Sequence, residues 1–374
     1  MQKKLKINHF LLFVLLLIVL FNGCKSIEFE SALIYLSQES NLEKAITYLL
    51  KSLMKEPSDI EAFVLLGKAY GMKENYVKMN AAFDSAMAYI DTSKQSHKYF
   101  KEDIEYLRDD FWCYSFNNGI TNFENNRLAD AGMDFSNCII IDKKRADAFI
   151  NLALVEEKIN NLDSAIKHYK QAYLLDHKNI DLMFYISNIY TRSHDFDKIL
   201  KVMDLILSIE HQQLDAVVQK AIAYDHLGKT DESIIAYQKA LQIQSEDPDF
   251  LFNLARLYFL DEDYYNAVEN FEKILTKNPD DVETIVLIAD SYFSLGENIK
   301  IQIQEISESD SIVLSQEEIE AYENEAKEYF ETAIYYLEQA VELKADDPDV
   351  LNMLAIAYSY IGLNDKAEAI FNNE

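Results

Sequence analysis

Cys24, Cys113 and Cys138 are the only thiols in the chain, and seven histidines are scattered among 64 acidic side chains. A thiol can carry a lipid, close a disulfide or hold a metal, and each use needs its own surroundings. Cys113 and Cys138 fall on neighbouring predicted helices, where a disulfide is conceivable. The other reading makes them small buried apolar groups. No Cys or His spacing suits zinc, so no metal is expected. There is also no phosphate-binding loop, HExxH pair or nucleophile elbow. Two carboxylates could do acid–base work, but such pairs arise cheaply in so acidic a chain. The expectation is a protein with no catalytic residues and no cofactor.

The net charge is −29, and the three lysines of residues 1–23 leave −32 on the remainder. Such a body repels nucleic acid phosphates and anionic lipid headgroups. It suits either simple solubility or a basic partner.

Cys24 has a context of its own. A basic start is followed by twelve apolar residues, Phe10 to Phe21, and then Asn22-Gly23-Cys24. Twelve is short for a bilayer span, which needs about 20 residues, and suits the core of an export signal. This segment resembles a bacterial lipoprotein signal, in which a small residue precedes a Cys that is lipidated and then becomes the first residue. Gly23 and Cys24 match; Phe21 departs from the usual aliphatic residue. The resemblance implies a signal peptide over 1–23, lipid on Cys24 and a short tether over 24–27. Lys25, where an acid would signal inner-membrane retention, favours the periplasmic face of the outer membrane, with the inner membrane as alternative. An uncleaved anchor or an ordinary signal are the competing readings, and in those Cys24 is incidental. The tether would span at most about 14 Å, holding the first helices near the bilayer.

What the rest of the chain could position is set by its periodicity. Only eight Gly and four Pro occur among 49% apolar residues, a composition that favours helix. A pattern of small and aromatic residues recurs every 34 positions. Ala255, Tyr258, Ala267, Phe271 and Ile274 are preceded by Ala221, Tyr224, Ser233, Tyr237 and Ala240. Before these come Ser187, Tyr190, Ile199, Met203 and Ile206, then Ala153, Ala165, Tyr169 and Ala172. Two apolar stripes separated by a turn predict antiparallel helix pairs, with small residues allowing close approach. Gly228, Gly296 and Gly362 are expected at the turn inside a pair. The four prolines fall between pairs, where they interrupt no helix.

These residues resemble the tetratricopeptide repeat, whose signature is the 34-residue period. The resemblance implies an all-α, right-handed α-solenoid of about nine helix pairs over residues 28–374. The eighth pair is interrupted by an insert, approximately 297–328. Within it "NIKIQIQEI" alternates at period two, as a short strand or adhesive arm would. "SESDS" reads as a loop. Ser315 and Glu318 form an expected capping box, opening a helix to about Lys344. Residues 93–110 are expected to lengthen the first helix of the unit containing Gly119.

A repeat stack offers a long surface and no central reaction chamber. By the resemblance, first helices line the concave face. Residues one turn before and one residue after the small position share that face: Ile150 and Leu154, Phe184 and Asn188, Val218 and Ile222, Phe252 and Arg256, Val286 and Asp290. The expected use is a groove for a peptide or helix, anchored by Phe184 and Phe252. The alternative is that these side chains pack on the adjacent pair. The Lys and Asn clamp with which some relatives grip acidic C-terminal tails is not assembled. The expected function is a membrane-anchored protein-binding scaffold with a protein or peptide partner of basic or amphipathic character. A self-associating structural lipoprotein, joined through Ile370 and Phe371 at the last pair, is the competing expectation.

Overall fold

The two copies of Asp-Pro-Asp each start a helix. Asp247 and Asp347 cap their helices by accepting a bond from the backbone N–H of Asp249 and Asp349, and proline follows in the first turn. There proline's missing N–H costs nothing. The computed structural model describes residues 25–38, 41–308, 315–344 and 347–371. The signal segment and Cys24 lie outside these residues, as does the side chain of Phe371.

Eighteen helices and no strand occur among the described residues. The fold is all-α, a solenoid of helix pairs. The described residues fall into two compact units, divided between Met183 and Phe184. The first contains α1 (Ile27–Ser37), α2 (Leu42–Lys55), α3 (Ile60–Met72), α4 (Tyr76–Tyr89), α5 (Gln95–Glu124), α6 (Leu128–Ile141), α7 (Ala146–Lys158) and α8 (Leu162–Leu175). Helix α9 (Asp181–Arg192) begins in it and leads into the second unit. There follow α10 (Phe196–Ile209), α11 (Leu214–His226), α12 (Thr230–Ile243), α13 (Pro248–Leu260), α14 (Tyr264–Leu275), α15 (Val282–Glu308), α16 (Gln316–Leu343), α17 (Pro348–Tyr360) and α18 (Asn364–Phe371). From α10 to α18 each helix packs on the next.

The period is written in the backbone too. The turn inside a pair places one residue in the left-handed region, at Asn126, Asn160, His194, Gly228 and Glu262, five positions spaced 34 apart. Glu74 and Gly362 do the same in the second and last pairs. Only two of these seven are glycine, although left-handed backbone disfavours other residues. The remaining turns are held by their hydrogen bonds, as where Asp195 N–H reaches back to the Tyr190 carbonyl at 2.9 Å.

Close approach within a pair is achieved by small against aromatic. A Cβ added to Gly67, Gly119 or Gly296 would lie 2.3, 2.6 or 2.8 Å from the rings of Phe83, Phe135 and Phe330. Gly296 is therefore not a turn residue, as its spacing suggested. It lies inside α15, which runs on for 27 residues. "NIKIQIQEI" is correspondingly helix and not strand, and most of "SESDS", expected as a loop, lies outside the described residues. Ile299, Ile303 and Ile306 share the four- and three-residue steps of one helix face, and only Ile301 breaks that stripe, being 53% exposed. The capping box at Ser315 and Glu318 is present, and α16 runs to Leu343. The insert thus lengthens one helix pair into a protruding arm. Helix α5, likewise, spans 30 residues and starts at Gln95.

In the first unit Trp112 stacks on Phe116, with ring centroids 4.7 Å apart, and Arg145 covers its other side at 4.4 Å. Cys113 and Cys138 are both free. The buried Cys138 thiol donates to the Trp112 carbonyl at 3.6 Å, and burial pushes its pKa up to about 12. Without thiolate it is a poor nucleophile. Brief iodoacetamide treatment followed by peptide mass spectrometry should leave Cys138 unmodified in the native protein and alkylate it in urea. The half-buried Cys113 should react first.

Candidate functional site

The small residues Ser187, Ala221, Ala255 and Ala289 are all fully buried, and the three alanines pack with residues of the second helix of their pairs. One helical step aside, the residues expected in the groove sit at the surface of the first helices. In the second unit Phe184, Val218, Phe252, Arg256, Val286 and Asp290 are half-buried, while Asn188 is exposed and Ile222 is 41% exposed. In the first unit Ile150 and Leu154 are half-buried on α7.

Not all of these side chains are free to meet a ligand. Phe252 packs edge-on against the buried Phe271 of α14, with centroids 5.8 Å apart, and Val286 leans on the core below it. Neighbouring first helices are also cross-linked on this side. Arg256 of α13 bonds Asp225 of α11. Ser187 of α9 donates to Gln219 of α11 at 2.8 Å. Spacing alone did not show these bonds, because Asp225 and Gln219 lie outside the repeated landmarks. Below them Tyr237 is buried, and that burial, with the Asp225 charge, pushes its phenol up to about 12.

Asp290 is the charged member of this face in α15. Burial, and then the Glu297 charge, hold its carboxyl above the ordinary 3.8. The folded protein therefore grips this proton more tightly than the unfolded chain, and the ionised form is a burden. The stability linked to Asp290 is present below pH 3.8 and is lost as pH rises through the raised value. Asp290→Asn should accordingly raise the melting temperature at pH 7, with the gain vanishing as the pH falls below the ordinary carboxylate range. Thermal melts at stepped pH check this.

Models of the tetratricopeptide repeat match residues 146–179 and 249–281, and a TPR repeat model matches residues 223–261. The chain carries tetratricopeptide repeats. None of the matched models describes an enzyme, and repeats of this type are typically scaffolds for protein–protein contact. The sequence matches no curated protein. Among solved structures, TPR protein YrrB, described as having an unusual peptide-binding site, is 17% identical, with 58% of this chain covering 95% of that one at a TM-score of 0.41. A tetratricopeptide repeat protein from Parabacteroides merdae is 15% identical over 66% of this chain and 98% of that one, at a TM-score of 0.41. MamA is 15% identical over 54% of this chain and 92% of its own, at a TM-score of 0.40.

Among the described residues, no group of three or more His, Cys, Asp or Glu is placed to hold a metal ion. No described helix is long and apolar enough to cross a membrane.

Proposed function

We propose that this protein is a non-catalytic, membrane-anchored scaffold that binds a peptide or helix of a cell-envelope partner along its first-helix face. The reading rests on the first helices of the second unit, a row of half-buried apolar side chains with Ile222 and Asn188 open to solvent. Such a row offers anchors at the spacing of an amphipathic ligand. Anchoring rests on the apolar segment ending at Gly23-Cys24. At the first described residues, Lys25 is tied to Asp59 and Glu61 at 3.0 Å each, which would keep a lipid on Cys24 close to the folded body.

Two measurements test the two halves of the proposal. Ile222→Ser with Asn188→Ala leaves the core intact and should release whatever partner the parent captures after cross-linking in envelopes; undiminished capture would remove the groove assignment. Labelled palmitate should enter the parent and not Cys24→Ser. For the competing structural role, self-association at the last pair, Ile370 is half-buried against the core, and Ile356 and Leu363, 46% and 40% exposed, are apolar side chains open to solvent there. Sedimentation that shows a monomer at every concentration discards it.

A further inference from the structure

The arm made by α15 and α16 extends beyond the neighbouring pair, and a cavity of about 340 Å³ opens in the elbow where α14 meets it. Leu295, Ile299 and Ile301 of α15 form its apolar floor. Tyr322 and Tyr329 of α16 and Tyr265 of α14 stand around it, and the Tyr265 and Tyr329 hydroxyls are hydrogen-bonded at 2.5 Å. Glu305 and Glu325 complete the wall from opposite helices. Both carboxylates are exposed, and neither has an ion-pair or hydrogen-bond partner among the described residues.

Aromatic faces beside unpaired carboxylates favour a cation with an apolar stem. The ring quadrupoles attract the charge, the carboxylates give it charge-assisted hydrogen bonds, and the aliphatic floor covers the methylene chain. Arginine and lysine side chains have this construction, and the space holds one such side chain with its flanking residues. The field around it has the matching sign: residues 297–328 carry ten acidic and two basic side chains. An anionic or purely apolar occupant would leave Glu305 and Glu325 desolvated without compensation. We propose that this elbow is a second docking site, which takes a basic side chain of a peptide segment from a protein partner. It lies on the arm, apart from the first-helix face, and does not depend on that face binding anything.

The probe is a fluorescein-labelled octapeptide, Gly-Ser-Leu-Arg-Lys-Leu-Gly-Ser, beside a copy with citrulline and norleucine in place of its two cations. Anisotropy is read on the full folded chain at physiological salt, where diffuse attraction is screened. The parent should bind the cationic peptide and not the neutral one. Glu305→Gln with Glu325→Gln should weaken binding about tenfold or more. Tyr265→Ser, at a side chain 61% exposed and so dispensable for folding, should also weaken it. Asp231→Asn with Glu232→Gln removes the same charge from exposed positions on α12 and should change affinity less than about twofold. Equal losses in the two charge variants would reduce the effect to overall acidity and overturn the proposal. So would equal binding of the neutral copy, or no binding by the parent at about 1 mM peptide, a strength that even a weak specific site exceeds. The Ile222→Ser and Asn188→Ala variant should bind this probe as the parent does, so failure of either site is read separately.

Discussion

Phe330→Ala should cost about 3–5 kcal/mol, the range for removing a fully buried aromatic ring, because Phe330 is wholly buried between Phe293, Tyr360 and the backbone of α15 at Gly296. The reciprocal change is as informative. Gly296→Ala puts a methyl 2.8 Å from a ring that has no free space to retreat into, and overpacking of this kind costs about 1–3 kcal/mol. The chain already contains an alternative solution. Seven residues before Gly296 and seven after Phe330, Ala289 and Leu337 occupy the corresponding places in the same interface, both fully buried. Gly296→Ala combined with Phe330→Leu copies that pair. The double variant should be more stable than the sum of its two single changes by about 1 kcal/mol or more, the coupling expected of residues in contact. Urea unfolding followed by circular dichroism, with hydrogen exchange on α15 and α16 peptides, gives the four corners of the cycle. Strict additivity would mean that Phe330 does not hold α15 to α16.

Asp59→Ala should be the most damaging surface-adjacent change in the first unit, costing about 2 kcal/mol. Asp59 has two tasks. Its carboxylate caps α3 by accepting from the Glu61 and Ala62 backbone N–H groups, and loss of a cap costs about 0.5–2 kcal/mol. It also pairs with Lys25 at 3.0 Å, where the Asp59 side chain is 5% exposed. Glu61 remains to hold the lysine at 3.0 Å, which limits the second loss. Asp59→Asn keeps an acceptor for the cap and gives up the charge, so it should cost less than half as much. Equal losses in the two variants would assign the whole effect to the ion pair. Proteolysis at Lys25 would give an independent reading, accelerated in Asp59→Ala and near normal in Asp59→Asn.

The repeat was legible because two physical requirements recur at one distance. A pair must bring its helices together at a small residue, and it must reverse its chain in one tight turn. The first left its mark in Ala255 and its equivalents, the second only at Gly228 and Gly362, because the other five left-handed turn positions are not glycine. The arm was harder to read because Gly296 has two uses that look alike in a sequence. Glycine ends helices, as Gly228 and Gly362 do with φ of +68° and +79°, and it also admits a ring against a helix, as Gly296 admits Phe330. Spacing from Ala289 placed it at the usual turn, yet the decisive residue lies 34 positions further on. The alternation in "NIKIQIQEI" misled for a related reason. Isoleucines at 299, 301 and 303 look like a strand face, while 299, 303 and 306 already satisfy a helix. In the candidate groove, apolar character was legible; its coupling to the core through Phe271, and the bond between Arg256 and Asp225, depend on neighbours the repeat does not specify.

Helix α15 has 27 residues where α13 has 13, and α16 has 28 where α12 has 14, so each member of the arm exceeds the ordinary length by fourteen. Fourteen is two sevens, and seven residues return a helix to nearly the same azimuth, with a drift of about 20° each time. The reach of the arm is thus quantised. Matched excisions or additions of seven in both helices of the hairpin would keep its packing in phase, whereas a change of three or four in one of them would turn the contacting faces beyond Gly296 and Phe330 out of register.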